Sequence, residues 1–176
     1  VLLKKREPGF VPMILRPATV CGYSPRLRLD LIVNILTNHA VNNREIQVFG
    51  EGQMRPNIHI DDVTDLYVKS LEWPEGAIDG KVFNAGYDNQ TVSEIAESVR
   101  RQVGEDVGIT TTPTDDRRSY HISSEKIKRE LGFVPRLSIK NAVSDLVAAF
   151  GAGKIPNAMT DIRYYNIKQM ERSRLK

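Results

Sequence analysis

The chain has 176 residues, of which 40% are hydrophobic and 27% charged, and its formal net charge is +3. This length suffices for one domain with a real core or for two small lobes, and the composition excludes a disordered, collagen-like or coiled-coil protein. No apolar run reaches about 18 residues, so no segment is expected to span a membrane. The N-terminal stretch lacks the apolar core of a secretory signal, and without an initiator Met it is expected to start inside a longer protein.

The basic residues are concentrated at the two ends of the chain. Residues 1–30 carry six Lys or Arg against two acidic residues and residues 161–176 carry five against two, whereas residues 31–160 carry 14 against 18. An acidic middle without interleaved basic and aromatic residues argues against nucleic-acid binding. The single cysteine, Cys21, cannot form an internal disulfide, which favours the reducing cytoplasm.

Short apolar runs and amphipathic stretches are predicted to alternate along the chain. In chain order they are a strand at 12–16, a helix at 28–40, strands at 46–49 and 58–60, a helix from Asp61 or Asp62 to about Leu71, a strand at 81–85, a helix at 91–103, a strand at 107–112, a helix from Ser123 or Ser124 to Gly132, and a helix at 138–150. This alternation predicts an α/β protein. The tail after Gly151 is less periodic and is expected to be mobile.

Three local signals sharpen these predictions. Thr91 followed by Glu94 is a capping-box pattern that opens a helix. Gly132 suits a left-handed helix end. Asp61 and Asp62 are interpreted as a helix cap with favourable dipole charge rather than as a pair of catalytic carboxylates, because adjacent helical residues do not face each other.

Other sequence-based chemistry is sparse. The chain has no G-x-G-x-x-G turn and no P-loop, so it lacks a dinucleotide-binding fingerprint. Its histidines have no metal-ligand spacing, so no metal site is expected; they are His39, His59 and His121. Cys21 has no local signature of a nucleophile and is interpreted as structural.

Two arginines stand in predicted loops between buried elements. Arg55 follows the Gly50–Gly52 turn, and Arg118 lies just ahead of a predicted helix. A guanidinium can hold a phosphate with two parallel hydrogen bonds, so both suit an anionic ligand. The alternative is a surface arginine paired with Asp or Glu, and spacing alone does not decide between the two.

Several blocks of the chain, in one consistent order, resemble a known family. They are LRPATVCG at Leu15–Gly22, IQVFGEGQMRPNIHIDDV at Ile46–Val63, FNAG at Phe83–Gly86, TVSEIA at Thr91–Ala96, DRRSY at Asp116–Tyr120, SSEK at Ser123–Lys126 and LGFVP at Leu131–Pro135. Together they are similar to the extended short-chain dehydrogenases/reductases, in particular to the NAD-dependent epimerase/dehydratase family that acts on nucleotide-sugars.

The resemblance implies a fold and a division into domains. The expected fold is α/β, the C-terminal part of a Rossmann-type extended short-chain dehydrogenase/reductase with a small α/β substrate lobe. Residues 1–27 would form the end of a cofactor-domain helix and the following strand. Residues 28–160 would form mostly the substrate lobe, with returning cofactor-domain elements around 61–86, and residues 161–176 would form a tail.

The resemblance also implies a function. The chain would be the substrate-binding half of an NAD(P)-dependent nucleotide-sugar epimerase or dehydratase, whose full-length form is usually a homodimer. The family's Tyr-x-x-x-Lys pair and glycine-rich cofactor turn would lie upstream of Val1, so the chain alone is expected to be inactive. Tyr164 and Lys168 match Tyr-x-x-x-Lys literally, but in a tail where the family has no catalytic helix. The alternatives are a family reductase on a non-sugar substrate and a non-catalytic nucleotide-sugar-binding module.

Individual roles follow from matching positions in the family. Arg55 and Arg118 match arginines that hold the pyrophosphate of the nucleotide-sugar. Pro17 matches the position whose backbone approaches the nicotinamide of NAD or NADP. Thr19 stands where many sugar epimerases use Asn to touch the substrate, and Val48 matches a position near the base. Cys21 departs from the usual Tyr or Phe, which leaves the identity of the sugar open.

Overall fold

The protein is described from a computed structural model that covers residues 2–5, 7–115 and 119–173. A 3-10 helix, Leu2–Lys5, comes first. It is followed by β1 (Ile14–Pro17), β2 (Thr19–Cys21), α1 (Ile32–Asn43), β3 (Glu45–Phe49), β4 (Met54–His59), α2 (Ile60–Ser70), α3 (Glu75–Ile78), β5 (Val82–Ala85), β6 (Asp88–Thr91), α4 (Val92–Val103), β7 (Gly108–Thr112), α5 (Glu125–Leu131), α6 (Ile139–Gly151), a 3-10 helix at Ile162–Tyr164 and α7 (Asn166–Arg172). The predicted α/β alternation is confirmed.

Parallel pairing dominates three small sheets. β1 pairs with β5, and β3 pairs with β7, both in parallel. β4 lies between β2, which is parallel to it, and β6, which is antiparallel. Parallel strands need long crossovers, which the intervening helices provide. Within the described residues, no helix is long and apolar enough to cross a membrane.

Three apolar clusters form the core. The first lies beneath α1, α4 and α6, which pack against one another; α1 and α4 contact β3, and Ile109 of β7 packs against the cluster. The second joins β1 and β5 to α2 and α5. The third joins the segment before α1 to the end of α6 and the residues that follow, through Leu27, Leu29, Leu146 and Ile155. The domain bounds expected from the resemblance remain a prediction.

Most differences from the predicted elements concern short or polar segments. β4 begins at Met54, four residues before the predicted start, because backbone pairing with β6 extends it through the polar residues. The strands β2 and β6 are missed entirely, since the first is three residues long and the second is the polar sequence DNQT. The tail, which was expected to be mobile, is also structured: Leu29 N donates to Tyr164 O at 2.9 Å, and residues 166–172 form α7.

The predicted local signals at α4 and α5 are confirmed. Thr91 Oγ1 accepts from Glu94 N at 3.2 Å, and Glu94 Oε2 accepts from Thr91 N at 2.7 Å, which completes the capping box. Gly132 ends α5 with φ of 67°, a conformation that costs a glycine little. Ser124 stands at the start of α5, but its side chain bonds elsewhere instead of capping the helix.

The predicted cap of α2 by Asp61 or Asp62 is wrong. His59 is the N-cap, and its Nδ1 accepts from Asp61 N at 3.1 Å. The carboxylate of Asp62 points away from its own helix end and accepts from Arg136 N at 3.0 Å and Leu137 N at 2.8 Å. Asp62 is only 2% exposed, so its buried carboxylate joins α2 to the segment that leads into α6.

We predict that Asp62→Asn lowers the free energy of unfolding by about 2 kcal/mol. An amide oxygen in the place of Oδ2 could still accept from both backbone N–H groups, but the charge assistance disappears. The NH2 would take the place of Oδ1, 3.1 Å from Arg136 N, so that a donor faces a donor. Urea unfolding followed by circular dichroism measures the change. The matched control is Asp61→Asn, whose side chain is 72% exposed and should cost less than about 1 kcal/mol. Equal stability of the two variants would contradict the prediction.

Candidate functional site

A cleft of about 690 Å³ opens at the carboxyl ends of β1 and β5. One wall is the run from Arg16 to Val20, which ends β1 and starts β2. Asn84 of β5 and the segment holding Tyr120 and Ile122 line it as well. Crevices outside the carboxyl ends of parallel strands are the usual ligand sites of α/β proteins, which makes this cleft the candidate site.

Two of the predicted site residues meet in the cleft. Pro17 is the exposed last residue of β1, and Thr19 is the half-buried first residue of β2; both line the cleft. Ala18 N donates to Ala85 O at 2.7 Å, which fixes the step between the two strands. The roles given to Pro17 and Thr19 remain predictions. Both residues already line the same cleft, as those roles require.

The other predicted site residues lie elsewhere. Val48 is 1% exposed in β3, within the first core cluster, so its side chain does not line the cleft. Arg55 stands in β4, also outside the lining. Arg118 lies outside the described residues.

Arg55 is nevertheless connected to the cleft through its neighbour Met54. Ser119 Oγ accepts from Met54 N at 3.0 Å, and Tyr120 N donates to Met54 O at 3.4 Å. The Arg55 guanidinium donates to Met54 O at 3.1 Å and to the side chain of Gln53. Residues 119–120 therefore run along the start of β4, and Tyr120 lines the cleft.

Gly86 lets Ile122, which lines the cleft, approach the end of β5. A Cβ added at this position would lie 2.7 Å from Ile122 Cδ1 and 3.2 Å from Ala18 Cβ. Ser124 Oγ accepts from Gly86 N at 2.8 Å and donates to Gly86 O at 2.9 Å. The glycine of the Phe83–Gly86 block thus lets Ile122 pack directly onto the strand end.

The cleft is basic, and the sequence alone did not predict where this positive charge would lie. Arg16, Arg26 and Arg28 line it, and the described lining residues include no Asp or Glu. All three belong to the basic first 30 residues, so the charge count contained the signal. Nothing in the sequence indicated that the three side chains would share one cavity. An arginine-lined cleft without carboxylates favours an anionic ligand.

Cys21 has the features of a core residue rather than a nucleophile. It is 2% exposed, and its Sγ donates to Ile58 O at 3.4 Å. Burial, reinforced by the nearby charge of Asp62, raises the pKa of the thiol to about 12. The thiolate, which is the reactive form of cysteine, is therefore scarce at neutral pH.

One cluster of potential metal ligands is present although the sequence spacing predicted none. His59, Asp61 and Asp145 bring ligand atoms within 4.8 Å of one another. The Nδ1 lone pair of His59 already accepts from Asp61 N, so in the neutral ring the proton is on Nε2, which lies 3.1 Å from Asp145 Oδ2. Both ring nitrogens are thereby occupied in joining β4 and α2 to α6.

The literal Tyr-x-x-x-Lys match in the tail does not form a catalytic pair. Tyr164 Oη donates to Pro156 O at 3.3 Å, whereas Lys168 Nζ lies 4.5 Å from the ring centre of Tyr165. This agrees with the interpretation that the match is coincidental.

Comparison with known proteins identifies the family to which this arrangement is similar. Residues 3–86 match the NAD dependent epimerase/dehydratase family. This match confirms the resemblance noted in the sequence, and it includes the β1–β2 wall of the cleft, β4 and β5.

Solved structures extend the likeness over most of the chain. UDP-glucose 4-epimerase with UDP-glucose from Thermotoga maritima is 26% identical with a TM-score of 0.70, over 84% of this chain and 48% of that chain. RMD from Pseudomonas aeruginosa, complexed with NADPH, is 16% identical with a TM-score of 0.70, over 82% and 50%. UDP-glucose 4-epimerase from Bifidobacterium longum, in complex with NAD+ and UDP, is 17% identical with a TM-score of 0.68, over 84% and 50%. The chain spans about half the length of these structures, and the predicted Rossmann-type fold is confirmed.

We predict that Cys21 resists alkylation in the native protein. At pH 8 a thiol with a pKa of about 12 has a thiolate fraction about a thousandfold lower than a thiol with a pKa of 9.0. Iodoacetamide labelling followed by intact-mass spectrometry should show slow modification in buffer and rapid modification in urea. Because deprotonation limits the reaction, raising the pH from 8 to 9 should increase the native rate about tenfold. Labelling equally fast in buffer and urea would contradict the assignment.

Proposed function

Since residues 3–86 match the NAD dependent epimerase/dehydratase family, we propose that this chain is the substrate-binding half of an NAD(P)-dependent nucleotide-sugar epimerase or dehydratase. The observation that carries the proposal is the arginine-lined cleft at the carboxyl ends of β1 and β5, where Pro17 and Thr19 meet. A nucleotide-sugar carries negative charge, which suits a basic cleft, and hydroxyl groups, which suit Thr and Asn side chains, so its chemistry fits this lining.

Within this proposal the chain's own residues bind and orient the substrate. Thr19 and Asn84 offer hydrogen-bonding groups to the sugar, and Ile122 excludes water from the base of the cleft. Arg55 holds the pyrophosphate together with Arg118. Support for this pairing comes from Ser119, the residue after Arg118, whose side chain bonds Met54 next to Arg55. Val48 is assigned a position near the nucleotide base through its strand rather than its buried side chain.

The cofactor would meet this chain at one wall only. Pro17 is exposed at the end of β1, where its backbone can approach a nicotinamide, but the sequence has no glycine-rich turn to hold the rest of a dinucleotide. NAD or NADP, when bound to the complete protein, accepts hydride from a sugar carbon. The catalytic residues are assigned to parts of the protein other than this chain.

Two alternatives make different experimental predictions. A family reductase on a non-sugar substrate would leave Arg55 without a diphosphate to bind. A non-catalytic binding module would bind nucleotide-sugars without any partner that adds a Tyr-x-x-x-Lys pair. The charged lining of the cleft favours an anionic ligand over an uncharged one.

We predict that the purified 176-residue chain, given NAD and a panel of nucleotide-sugars, produces neither NADH nor an epimerised sugar. The reason is that the sequence lacks a glycine-rich cofactor turn and its one Tyr-x-x-x-Lys match is held apart by other contacts. Absorbance at 340 nm and product chromatography measure turnover. Steady formation of either product would overturn the assignment of the catalytic residues.

We predict that Arg55→Ala weakens binding of UDP-glucose to the chain about tenfold or more. A charge-assisted contact contributes roughly 1.5–3 kcal/mol, and about 1.4 kcal/mol is a factor of ten in affinity. Isothermal titration calorimetry measures the dissociation constant. Arg129→Ala is the matched control, since the Arg129 side chain is 71% exposed in α5 and contacts Glu130. Unchanged affinity in Arg55→Ala would instead indicate a surface arginine.

A further inference from the structure

The arginines that line the cleft carry more positive charge than the carboxylates paired with them neutralise. Of the three lining arginines, Arg28 forms a two-point ion pair with Asp30, with Nε–Oδ1 at 2.9 Å and Nη2–Oδ2 at 3.2 Å. The ion pairs between described residues include no carboxylate partner for Arg26. Its positive charge is therefore uncompensated at the cleft wall.

Arg26 is nevertheless held in place. Its Nη1 donates to Arg163 O at 3.3 Å and to Leu27 O at 3.5 Å, and its Nη2 donates to Asn166 Oδ1 at 3.0 Å and Gln169 Oε1 at 3.3 Å. All four acceptors are neutral, so they orient the guanidinium without neutralising it. The Nε–H makes no hydrogen bond within the described part of the chain. The Nε–H and the uncompensated charge of this oriented guanidinium are therefore what it offers to an anion.

Asn166 connects the two arginines. Its side chain accepts from Arg26, and its backbone N donates to Asp30 Oδ2 at 3.0 Å. Burial alone would raise the pKa of Asp30, but hydrogen bonds from Arg28 and from Asn166 N outweigh it and leave the pKa below its usual value. Asp30 is thus charged at neutral pH and keeps Arg28 in position.

The loop that carries both arginines is fixed from the other side as well. Asn34 of α1 is 2% exposed; its Oδ1 accepts from Gly22 N at 3.1 Å and its Nδ2 donates to Arg28 O at 2.8 Å. The wall is therefore held between α1 and the C-terminal segment Arg163–Gln169. The position of the Arg26 charge is thus fixed by the fold.

We propose that Arg26, with Asn166 as its positioning residue, forms a second anion site in the cleft that takes a carboxylate on the sugar of the substrate. The site rests on the proposed function, in which Arg55, away from this wall, binds the pyrophosphate. Because the diphosphate has its own arginine, the excess positive charge at Arg26 corresponds to a separate negative group. The substrate class is then a nucleotide-sugar with an acidic sugar.

The test compares ligand pairs that differ only by that carboxylate. Calorimetric titration of the chain uses UDP-glucose against UDP-glucuronic acid, and GDP-mannose against GDP-mannuronic acid, so that the unknown nucleotide does not decide the outcome. We expect the acidic member of at least one pair to bind about tenfold more tightly. The preference should decrease between 50 mM and 500 mM salt, because the site is open to solvent.

Variants separate contact from positioning. Arg26→Ala should abolish the preference, weakening the binding of the acidic sugar about tenfold more than the binding of the neutral sugar. Arg26→Lys should retain part of the preference. Asn166→Ala should reduce the preference. Asn166→Asp should also abolish the preference, because the carboxylate keeps the acceptor but neutralises the charge of Arg26. Thermal unfolding verifies that this variant folds. Arg129→Ala serves again as the unchanged control.

The outcomes distinguish this proposal from the proposed function. Equal affinity for both members of each pair would overturn the carboxylate site. A loss in Arg26→Ala that is equal for neutral and acidic sugars would place Arg26 at the pyrophosphate and overturn it too. In both cases the chain would still be a nucleotide-sugar-binding protein. Failure to bind any of the four compounds would overturn the proposed function as well.

Discussion

The buried carboxylate of Asp62 is the constraint on which the relative position of the elements depends. It accepts two backbone N–H groups from Arg136 and Leu137, and so fixes the entry to α6 against the start of α2. A buried charge is tolerated only where donors surround it, so this contact defines a single arrangement of the two segments. His59, one turn away, reinforces the same junction through Asp145 of α6.

The cleft follows from that junction. β4 enters α2 at His59, and β2 lies parallel to β4, so the strand that carries Thr19 is positioned by the same elements. Gly22, at the end of this wall, has φ of 102°, and a Cβ there would lie 3.1 Å from His59 Nε2. The close approach of the loop to the buried imidazole brings the arginine-bearing segment over the strand ends.

Some parts of this arrangement could be predicted from the sequence and others could not. The capping box of α4 and the glycine end of α5 depend on neighbouring residues only, and both were predicted correctly. Asp62 was misassigned because its partners are 74 and 75 positions away, and an Asp near a helix start has a simpler local explanation. The motifs of the family indicated Pro17 and Thr19, whereas the contribution of Arg26 depends on the fold of a tail that has no clear periodicity.

The wall that contains Arg26 also has a consequence for how the protein forms. The hydrogen bond between Arg26 and Asn166 joins residues 140 positions apart. Closing so long a loop costs more conformational entropy than a local contact, and such contacts form late in folding. On a ribosome Asn166 is made after all the strands described above, so a nascent chain can assemble its sheets while one side of the cleft is still open. The side of the cleft that Arg26 and Asn166 form is therefore the last to be completed.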